Sequence, residues 1–290
     1  MKKLLATLLA MVLVVAMMAG CGSTPAPSSS QPAPAPSSSE AAPSSSEAAP
    51  APAENVVEKA AMAYFENYDQ PKIMKAAKDF LAAVEAGEEM FIMDVRQPDA
   101  YAEGHIKGAV NIPLGKAVAE NLALVPNDVP VYVYCYTGQT ASQVTALLNV
   151  AGRYAANVQG GFNNGISKVE GFDKYVDKEA VALPTDKYDV DPAIQAAIDK
   201  YFADMESAKG TAFASFNFKP ESLKEILDAQ DDSYVVYSIR KAEDYANGHI
   251  ETAINNPFGK GMQTKFSELP KDKTIIVQCY SCLLYTSRCV

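Results

Sequence analysis

Two cysteines occupy equivalent places in this sequence, each at the end of an apolar run. Cys135 follows VYVY and Cys279 follows TIIVQ. Three residues after Cys135, Gly138 precedes a stretch whose apolar positions recur at helical spacing. This order predicts a buried strand, a tight loop and a helix, with the thiol at the carboxyl end of the strand. Unpaired N–H groups at a helix start attract anions, so we expect the thiol to be stabilised as a nucleophilic thiolate.

The loop after Cys135 is the candidate binding site for an anion. Its residues are Tyr136, Thr137, Gly138, Gln139 and Thr140. Gly138 allows the backbone to curl so that its amides face inward, and Thr140 or Ser142 is expected to cap the helix. The alternative is that Cys135 is a small buried hydrophobe. We favour a reactive thiol because cysteines of this chain cluster at one kind of place.

Alternating strands and helices must position this loop. The sequence predicts an amphipathic helix over 72–87, strands over 90–95, 108–112, 131–134 and 155–158, a helical turn over 99–103, and helices after Gly138 and Gly161. Short apolar strands between helices indicate an α/β fold, with a mostly parallel sheet flanked by helices on both faces.

The second half of the chain repeats the first at a constant offset of 144 residues. Residues 94–116 and 238–260 are identical at 11 of 23 positions. A period this long exceeds that of a solenoid repeat, so we interpret the chain as a duplicated domain. The first copy is assigned to residues 54–187 and the second to residues 188–290. A helix over 191–205 is expected to lead the second copy.

The first 53 residues predict export and anchoring. Lys2 and Lys3 precede an uncharged apolar stretch of 15 residues, which is too short to span a bilayer as a helix. Residues 1–20 resemble a bacterial lipoprotein signal peptide, with Cys21 as the lipidated residue; an ordinary signal peptide is the alternative. Residues 21–53, rich in Ser, Pro and Ala, predict an extended tether. We therefore expect an extracytoplasmic protein, lipid-anchored to the bacterial cell membrane.

Composition and spacing argue against several other functions. The formal net charge of −10 disfavours nucleic acid as a partner. No group of His, Cys, Asp and Glu has metal-ligand spacing, and no glycine-rich phosphate or dinucleotide motif occurs. The sequence therefore predicts neither a metal nor a cofactor.

Charged residues near the strand ends are assigned structural or supporting roles. His105 and His249 lie at equivalent positions between Gly and Ile, and we interpret both as packed or hydrogen-bonded structural residues. Arg96 is expected to form an ion pair with Asp99. Asp94, which is replaced by Ser238 in the second copy, is instead a candidate for orienting the loop.

In tandem, the two copies resemble the rhodanese (sulfurtransferase) family. The motifs that carry the resemblance are Asp94-Val95-Arg96, Tyr101 with Gly104-His105-Ile106, Gly108-Ala109, Asn111-Ile112-Pro113, and Cys135 with Gly138. The resemblance implies that Cys135 accepts sulfane sulfur from a small donor, holds it as a persulfide and passes it to a thiol or cyanide-like acceptor. It gives Cys279 the same role in the second copy, with Asp94 and Arg96 as supporting residues.

Thr140 departs from the family pattern. Family members that act on thiosulfate often carry Arg at this loop position, where it pairs with an anionic donor through two charge-assisted hydrogen bonds. A threonine therefore implies a weaker thiosulfate site. It also disfavours the cysteine phosphatases and arsenate reductases built on related loops.

Two further alternatives to sulfur transfer stay open. The first is a non-catalytic module that binds or carries a sulfur species or a partner protein. The second is a thiol–disulfide exchange protein that uses Cys135 and Cys279, which requires the two thiols to approach within disulfide range.

The end of the sequence departs from the repeat. Where the first copy has a glycine turn and a helix, the second has CLLYTSRCV. We interpret residues 282–290 as artefactual and expect the second copy to be incomplete and unstable alone.

Overall fold

The computed structural model describes residues 56–67 and 73–280, together with the backbone of residues 283–286. The chain divides into two units, residues 1–49 and residues 50–290. The predicted signal peptide, Cys21 and the tether lie outside the described residues, as do Cys282 and Cys289. Within the described part of the chain, no helix has the length and apolar character needed to cross a membrane.

The described residues form eight α-helices, numbered in chain order. They are α1 (Val56–Glu66), α2 (Ala77–Ala86), α3 (Pro98–Glu103), α4 (Lys116–Glu120), α5 (Gln139–Val150), α6 (Pro192–Ser207), α7 (Pro220–Asp228) and α8 (Ala242–Ala246). Shorter helical turns lie at Leu122–Leu124, Gly161–Gly165, Ile166–Lys168, Phe172–Tyr175, Ala214–Phe216 and Met262–Glu268.

The strands are numbered in the same way. They are β1 (Met74–Lys75), β2 (Phe91–Asp94), β3 (His105–Ile106), β4 (Ala109–Asn111), β5 (Val131–Tyr134), β6 (Ala155–Val158), β7 (Val176–Asp177), β8 (Tyr234–Ser238), β9 (Ile254–Asn255), β10 (Thr274–Gln278) and β11 (Leu283–Thr286).

A five-stranded parallel sheet forms the frame of the first copy. Its order is β1-β6-β5-β2-β4, so β5 is central. Asp94 lies opposite Tyr134, and Val133 lies opposite Asn157. Parallel strands end at the same edge of a sheet, so the residues after β2, β5 and β6 meet there. The predicted α/β fold with a mostly parallel sheet is confirmed.

Helices cover both faces of this sheet. On one face α2 packs through Phe80 and Leu81 against Ile92 and Tyr134. The other face packs against α4, α5 and α6, with Val144 and Leu148 of α5 fully buried. The loop after β5 is therefore held between two packed layers.

Two local predictions for this copy were wrong. The helix predicted over 72–87 begins at Ala77, because the preceding β1 pairs in parallel with β6 and supplies the outer strand of the sheet. The helix predicted after Gly161 is a single π-helical turn over Gly161–Gly165 followed by a short 3-10 turn. Left-handed φ angles of 76° and 59° at Gly160 and Gly161 prevent a regular α-helix from starting there.

The second copy repeats the centre of this frame. At the offset of 144 residues, β8, β9 and β10 correspond to β2, β4 and β5, and all pair in parallel. The outer neighbour differs, because β11 pairs with β10 in the antiparallel direction, whereas β6 pairs with β5 in parallel.

The helix expected to lead the second copy packs in the core of the first. The apolar stripe of α6, expected to lead the second copy, includes Ile194, Ile198 and Phe202 and is buried in the core of the first sheet. Its helical spacing presents these side chains on one face. Helix α1 contacts both copies, because Val57 and Ala60 pack against the core of the first sheet, whereas Phe65 packs against the second sheet and makes an edge contact with Phe266. The first copy is therefore completed by a helix from beyond residue 187.

Candidate active site

Cys135 lies where the sequence predicts it, between β5 and α5. Its side chain is 2% exposed, and its Sγ accepts a hydrogen bond from the N–H of Gly138 at 3.1 Å. Cys135 is a free thiol, while Cys279 is disulfide-bonded. A backbone amide directed at the sulfur is the contact that stabilises a thiolate or a persulfide anion.

The carbonyl groups of the loop are turned away from the sulfur and held by the next turn of the chain. Phe162 N donates to the Cys135 carbonyl, and Asn163 N donates to the Tyr136 carbonyl, both at 2.8 Å. Gly161 makes this approach possible, because a Cβ there would lie 2.6 Å from the Cys135 carbonyl oxygen. This role of Gly161 was not predicted from the sequence. The Gly160-Gly161 doublet after an apolar strand was the available signal.

The first turn of α5 is not capped by a side chain. Gly138 occupies the N-cap with φ 88°, and neither Thr140 nor Ser142 makes the predicted cap. Instead Ser142 Oγ donates back to the Gly138 carbonyl at 2.9 Å. Glycine has no side-chain oxygen with which to cap the helix, and its own N–H donates to Cys135 Sγ.

The exposed loop residues line two different cavities. Tyr136 and Thr137 are exposed, and Gln139 and Thr140 are half-buried. Tyr136 borders a cavity of about 710 Å³ together with Arg96, Glu103, Phe162 and Lys178.

Gln139 borders a second cavity, of about 720 Å³. Cys279, Gln278 and Tyr280 border it from the end of β10. The structure thus brings the loop after Cys135 and the equivalent strand end of the second copy to one cleft. The predicted catalytic role of Cys279 stays a prediction.

Arg96 pairs with Asp94, and the predicted pair with Asp99 was wrong. Arg96 Nε lies 3.0 Å from both carboxylate oxygens of Asp94, and the terminal nitrogen Nη2 lies 2.6 Å from Oδ2. Asp94 is fully buried and Arg96 is 4% exposed, whereas Asp99 lies on the surface. The buried carboxylate is closer in sequence and shares the edge of the sheet with the arginine.

The arginine ties three segments together at this edge. Its Nη2 also donates to the Gly104 carbonyl at 2.7 Å, and its guanidinium lies 4.2 Å from the centre of the Phe162 ring. Burial alone would lower the pKa of Arg96, but the hydrogen bond and the charge of Asp94 outweigh it and raise the net pKa. Arg96 is therefore a fixed cation that supports the turn beneath the Cys135 loop.

A buried tyrosine lies beside this ion pair. Tyr134 is the residue before Cys135, and burial, followed by the charge of Asp94, raises its pKa well above the ordinary value. It stays a neutral phenol and accepts the Ile106 N–H at 3.1 Å. Tyr134 thus supports the strand without contributing charge to the site.

Both histidines are packed or hydrogen-bonded, as predicted. His105 is fully buried and stacks on Tyr101 with ring centres 3.6 Å apart. Its ring nitrogens face the carbonyl groups of Tyr101 and Glu179. His249 also stacks on Tyr245, with ring centres 3.8 Å apart, although it is exposed.

No cluster of potential metal ligands occurs among the described residues.

Comparison with known proteins gives the family. The family model described as the rhodanese-like domain matches residues 76–168 and 219–282, which together cover just over half of the chain and agree with a tandem arrangement. The thiosulfate sulfurtransferase PspE of Escherichia coli is 40% identical over 83 residues, which are 27% of this chain and 78% of that protein.

Two proteins of Bacillus subtilis are also similar. The putative sulfurtransferase YtwF is 33% identical over 78 residues, covering 27% of this chain and 75% of its own length. The putative sulfur carrier protein YrkF is 30% identical over 92 residues, which span 31% of this chain and about half, 49%, of that protein. With its buried cysteine at a strand end and this match over more than half of its length, the chain belongs to the rhodanese-like domain family.

Proposed function

We propose that the protein is a sulfurtransferase in which Cys135 carries the sulfur. The observation that carries the proposal is the geometry of that thiol, which is buried, free and hydrogen-bonded by the Gly138 N–H at 3.1 Å. Such a contact stabilises both the attacking thiolate and the persulfide anion that it becomes.

The proposed reaction has two steps. In the first, the Cys135 thiolate attacks the outer sulfur of a donor, a sulfur–sulfur bond forms, and the donor leaves with its electron pair as a thiolate or, for thiosulfate, as sulfite. In the second, a thiol or cyanide-like acceptor attacks the terminal sulfur and releases the Cys135 thiolate. No net oxidation occurs, so neither step calls for a cofactor.

Thr140 affects which sulfur donor we expect the protein to use. A threonine offers a hydroxyl where an arginine would offer a bidentate cation. The nearby Arg96 does not replace it, because its charge is already matched by Asp94 at 2.6 Å. We therefore expect a small persulfide to load Cys135 more readily than thiosulfate does.

The principal alternative is a carrier that binds sulfur without turnover. It is favoured by the similarity to a putative sulfur carrier protein and by Thr140 in place of an arginine. We further propose, from residues 1–53 alone, that the protein is exported and lipid-anchored through Cys21.

Intact mass spectrometry of residues 50–290, which form one compact unit, tests the proposal. Reduced protein is incubated with a low-molecular-weight persulfide and separately with thiosulfate. We expect the gain of one sulfur atom that cyanide removes, its absence in Cys135→Ser and its presence in Cys279→Ser.

Two results would contradict sulfur transfer by Cys135. One is failure of a folded sample with an alkylatable Cys135 to gain sulfur from either donor. The other is a sulfur gain that persists in Cys135→Ser. Loading without repeated release to cyanide would favour the carrier over the enzyme.

A further inference from the structure

Asn157 is an unusual residue for its position. It lies in β6, whose other residues are Ala155, Ala156 and Val158, and it is 5% exposed. The strand is flanked by β5 and β1 on both sides, so an apolar residue would suit this interior position. A polar side chain at this position must be stabilised by the contacts that it makes.

The amide nitrogen of Asn157 reaches the loop after Cys135. Nδ2 donates to the Gly138 carbonyl at 3.1 Å and to Ser142 Oγ at 2.8 Å. Ser142 donates to the same carbonyl through its backbone N and its Oγ. A carbonyl oxygen only accepts hydrogen bonds, so the NH₂ group, rather than the oxygen, of the asparagine must face Gly138.

The other half of the same amide is left without a partner. Asn157 Oδ1 is buried and has no hydrogen-bond partner among the described residues. A buried unpaired oxygen is unfavourable, and leucine, of similar shape, would avoid it. The NH₂ group is therefore the part of this side chain that makes hydrogen bonds with its surroundings.

We propose that Asn157 is a positioning residue that fixes Gly138 so that its N–H supports the sulfur of Cys135. Gly138 is held on both sides, with its N–H on Sγ at 3.1 Å and its carbonyl on Asn157 and Ser142. The persulfide part of this role rests on the proposed function, while the effect on the thiolate does not.

Asn149 provides a matched control in the same helix–strand unit. It lies near the far end of α5, where Nδ2 donates to the Thr145 and Ala155 carbonyls and Oδ1 accepts the Ala155 N–H. Both halves of its amide are satisfied, and none of these contacts involves the Cys135 loop. Asn149 and Asn157 thus fasten opposite ends of α5 to β6.

The experiment compares Asn157→Leu with Asn149→Leu in residues 50–290. Three quantities are measured at pH 7: the alkylation rate of the Cys135 peptide by iodoacetamide, the thiolate absorbance at 240 nm that is lost in Cys135→Ser, and urea unfolding. Asn157→Asp, which keeps the size and lacks both N–H donors, is measured in parallel in case the leucine variant does not fold.

The two variants are expected to show opposite effects. In Asn157→Leu we expect about a tenfold slower alkylation, a reduced thiolate absorbance and unfolding at an unchanged or higher urea concentration, because the unpaired oxygen is gone. In Asn149→Leu we expect unfolding at lower urea, with alkylation within about twofold of the original protein. A purely structural role for Asn157 predicts no slowing of alkylation in its folded variants.

The outcomes separate this inference from the proposed function. Alkylation of Cys135 within twofold of the original rate in folded Asn157→Leu and Asn157→Asp would overturn the positioning role. If the original protein gains no sulfur from any donor while Asn157→Leu still slows alkylation, the positioning role stands and sulfur transfer fails.

Discussion

The two copies share a backbone frame and differ in the charged side chains at the carboxyl edge of the sheet. Each has a tyrosine stacked on a histidine and an asparagine that bridges the strand end, Asn111 in the first copy and Asn255 in the second. In the first copy Asp94 neutralises the buried Arg96. In the second, Ser238 Oγ and Arg240 Nε are buried and have no hydrogen-bond partner among the described residues.

This difference separates the scaffold from the chemistry. The residues common to both copies bond to backbone groups and shape the edge of the sheet. The ion pair belongs to the first copy, where Phe162 N donates to the Cys135 carbonyl and its ring lies over Arg96. The repeat therefore preserves the frame, and the buried ion pair is a feature of the first copy.

The largest expected effect comes from replacing Asp94 of the first copy with serine, the residue that the second copy has at the equivalent position. Asp94→Ser leaves Arg96 charged, buried and unpaired, which we expect to lower the free energy of unfolding by about 3–5 kcal/mol. Urea unfolding measures it. The control is Asp99→Ser at the surface, for which we expect a change within about 0.5 kcal/mol. Equal effects of the two substitutions would contradict the assignment of the ion pair.

The next effect tests the packing of α6 in the core of the first copy. Phe202→Ala removes a ring that is 2% exposed in the core of the first sheet, and we expect a loss of about 3 kcal/mol. Hydrogen exchange followed by mass spectrometry should show faster exchange in β5 and α5. Phe65→Ala, in contrast, should accelerate exchange in β8 and β10. Faster exchange confined to the second sheet in Phe202→Ala would contradict the packing of α6 on the first sheet.

A smaller effect is expected when the second copy is given the residue of the first. Ser238→Asp offers Arg240 a carboxylate, and we expect a gain of about 1 kcal/mol from the new charge-assisted hydrogen bond. Thermal unfolding measures the gain. Ser238→Asn is the uncharged control of equal size. The same stabilisation by asparagine would show that charge is not the cause.

The smallest effect concerns a surface contact of the first copy. Glu85 accepts hydrogen bonds from Lys174 and Tyr175, and these bonds, with the Lys174 charge, lower its pKa. A lowered carboxyl pKa stabilises the fold above the ordinary value of about 4.3 and ceases to do so as the pH falls through the lowered value.

Glu85→Gln should therefore lower the melting temperature slightly near pH 7 and leave it unchanged in strong acid. Melting curves from pH 7 down to pH 2 measure the difference between the two proteins. Because Glu85 and Lys174 are exposed, the effect should also diminish in high salt. A difference that grows as the pH falls would contradict a lowered pKa of Glu85.

Much of the fold was predictable because its signals are local. The apolar runs at 131–134 and 155–158, the helical spacing after Gly138 and the offset of 144 residues all lie in short stretches or in a direct repeat. They predicted the parallel sheet, the duplication and the position of Cys135 correctly. The β1 strand was missed because two residues carry no period of their own, and pairing with β6 decides their conformation.

The candidate site was predictable as a loop but not as a set of contacts. Cys135 and Gly138 stand close in the sequence, so their approach follows from a strand, a turn and a helix. Asn157 and Gly161 lie about 20 residues further along, and their contacts with the loop depend on β6 lying beside β5. A sequence read segment by segment offers no measure of that distance.

The sequence by itself therefore determined the fold class, the duplication and the thiol at a strand end, because periodicity and repetition are properties of the chain. Only the tertiary structure decided that Asp94 rather than Asp99 neutralises Arg96, that α6 completes the first copy, and that Gly161 and Asn157 hold the loop. Each of these depends on which groups meet across a packed core, where burial makes unpaired charges and polar groups unfavourable.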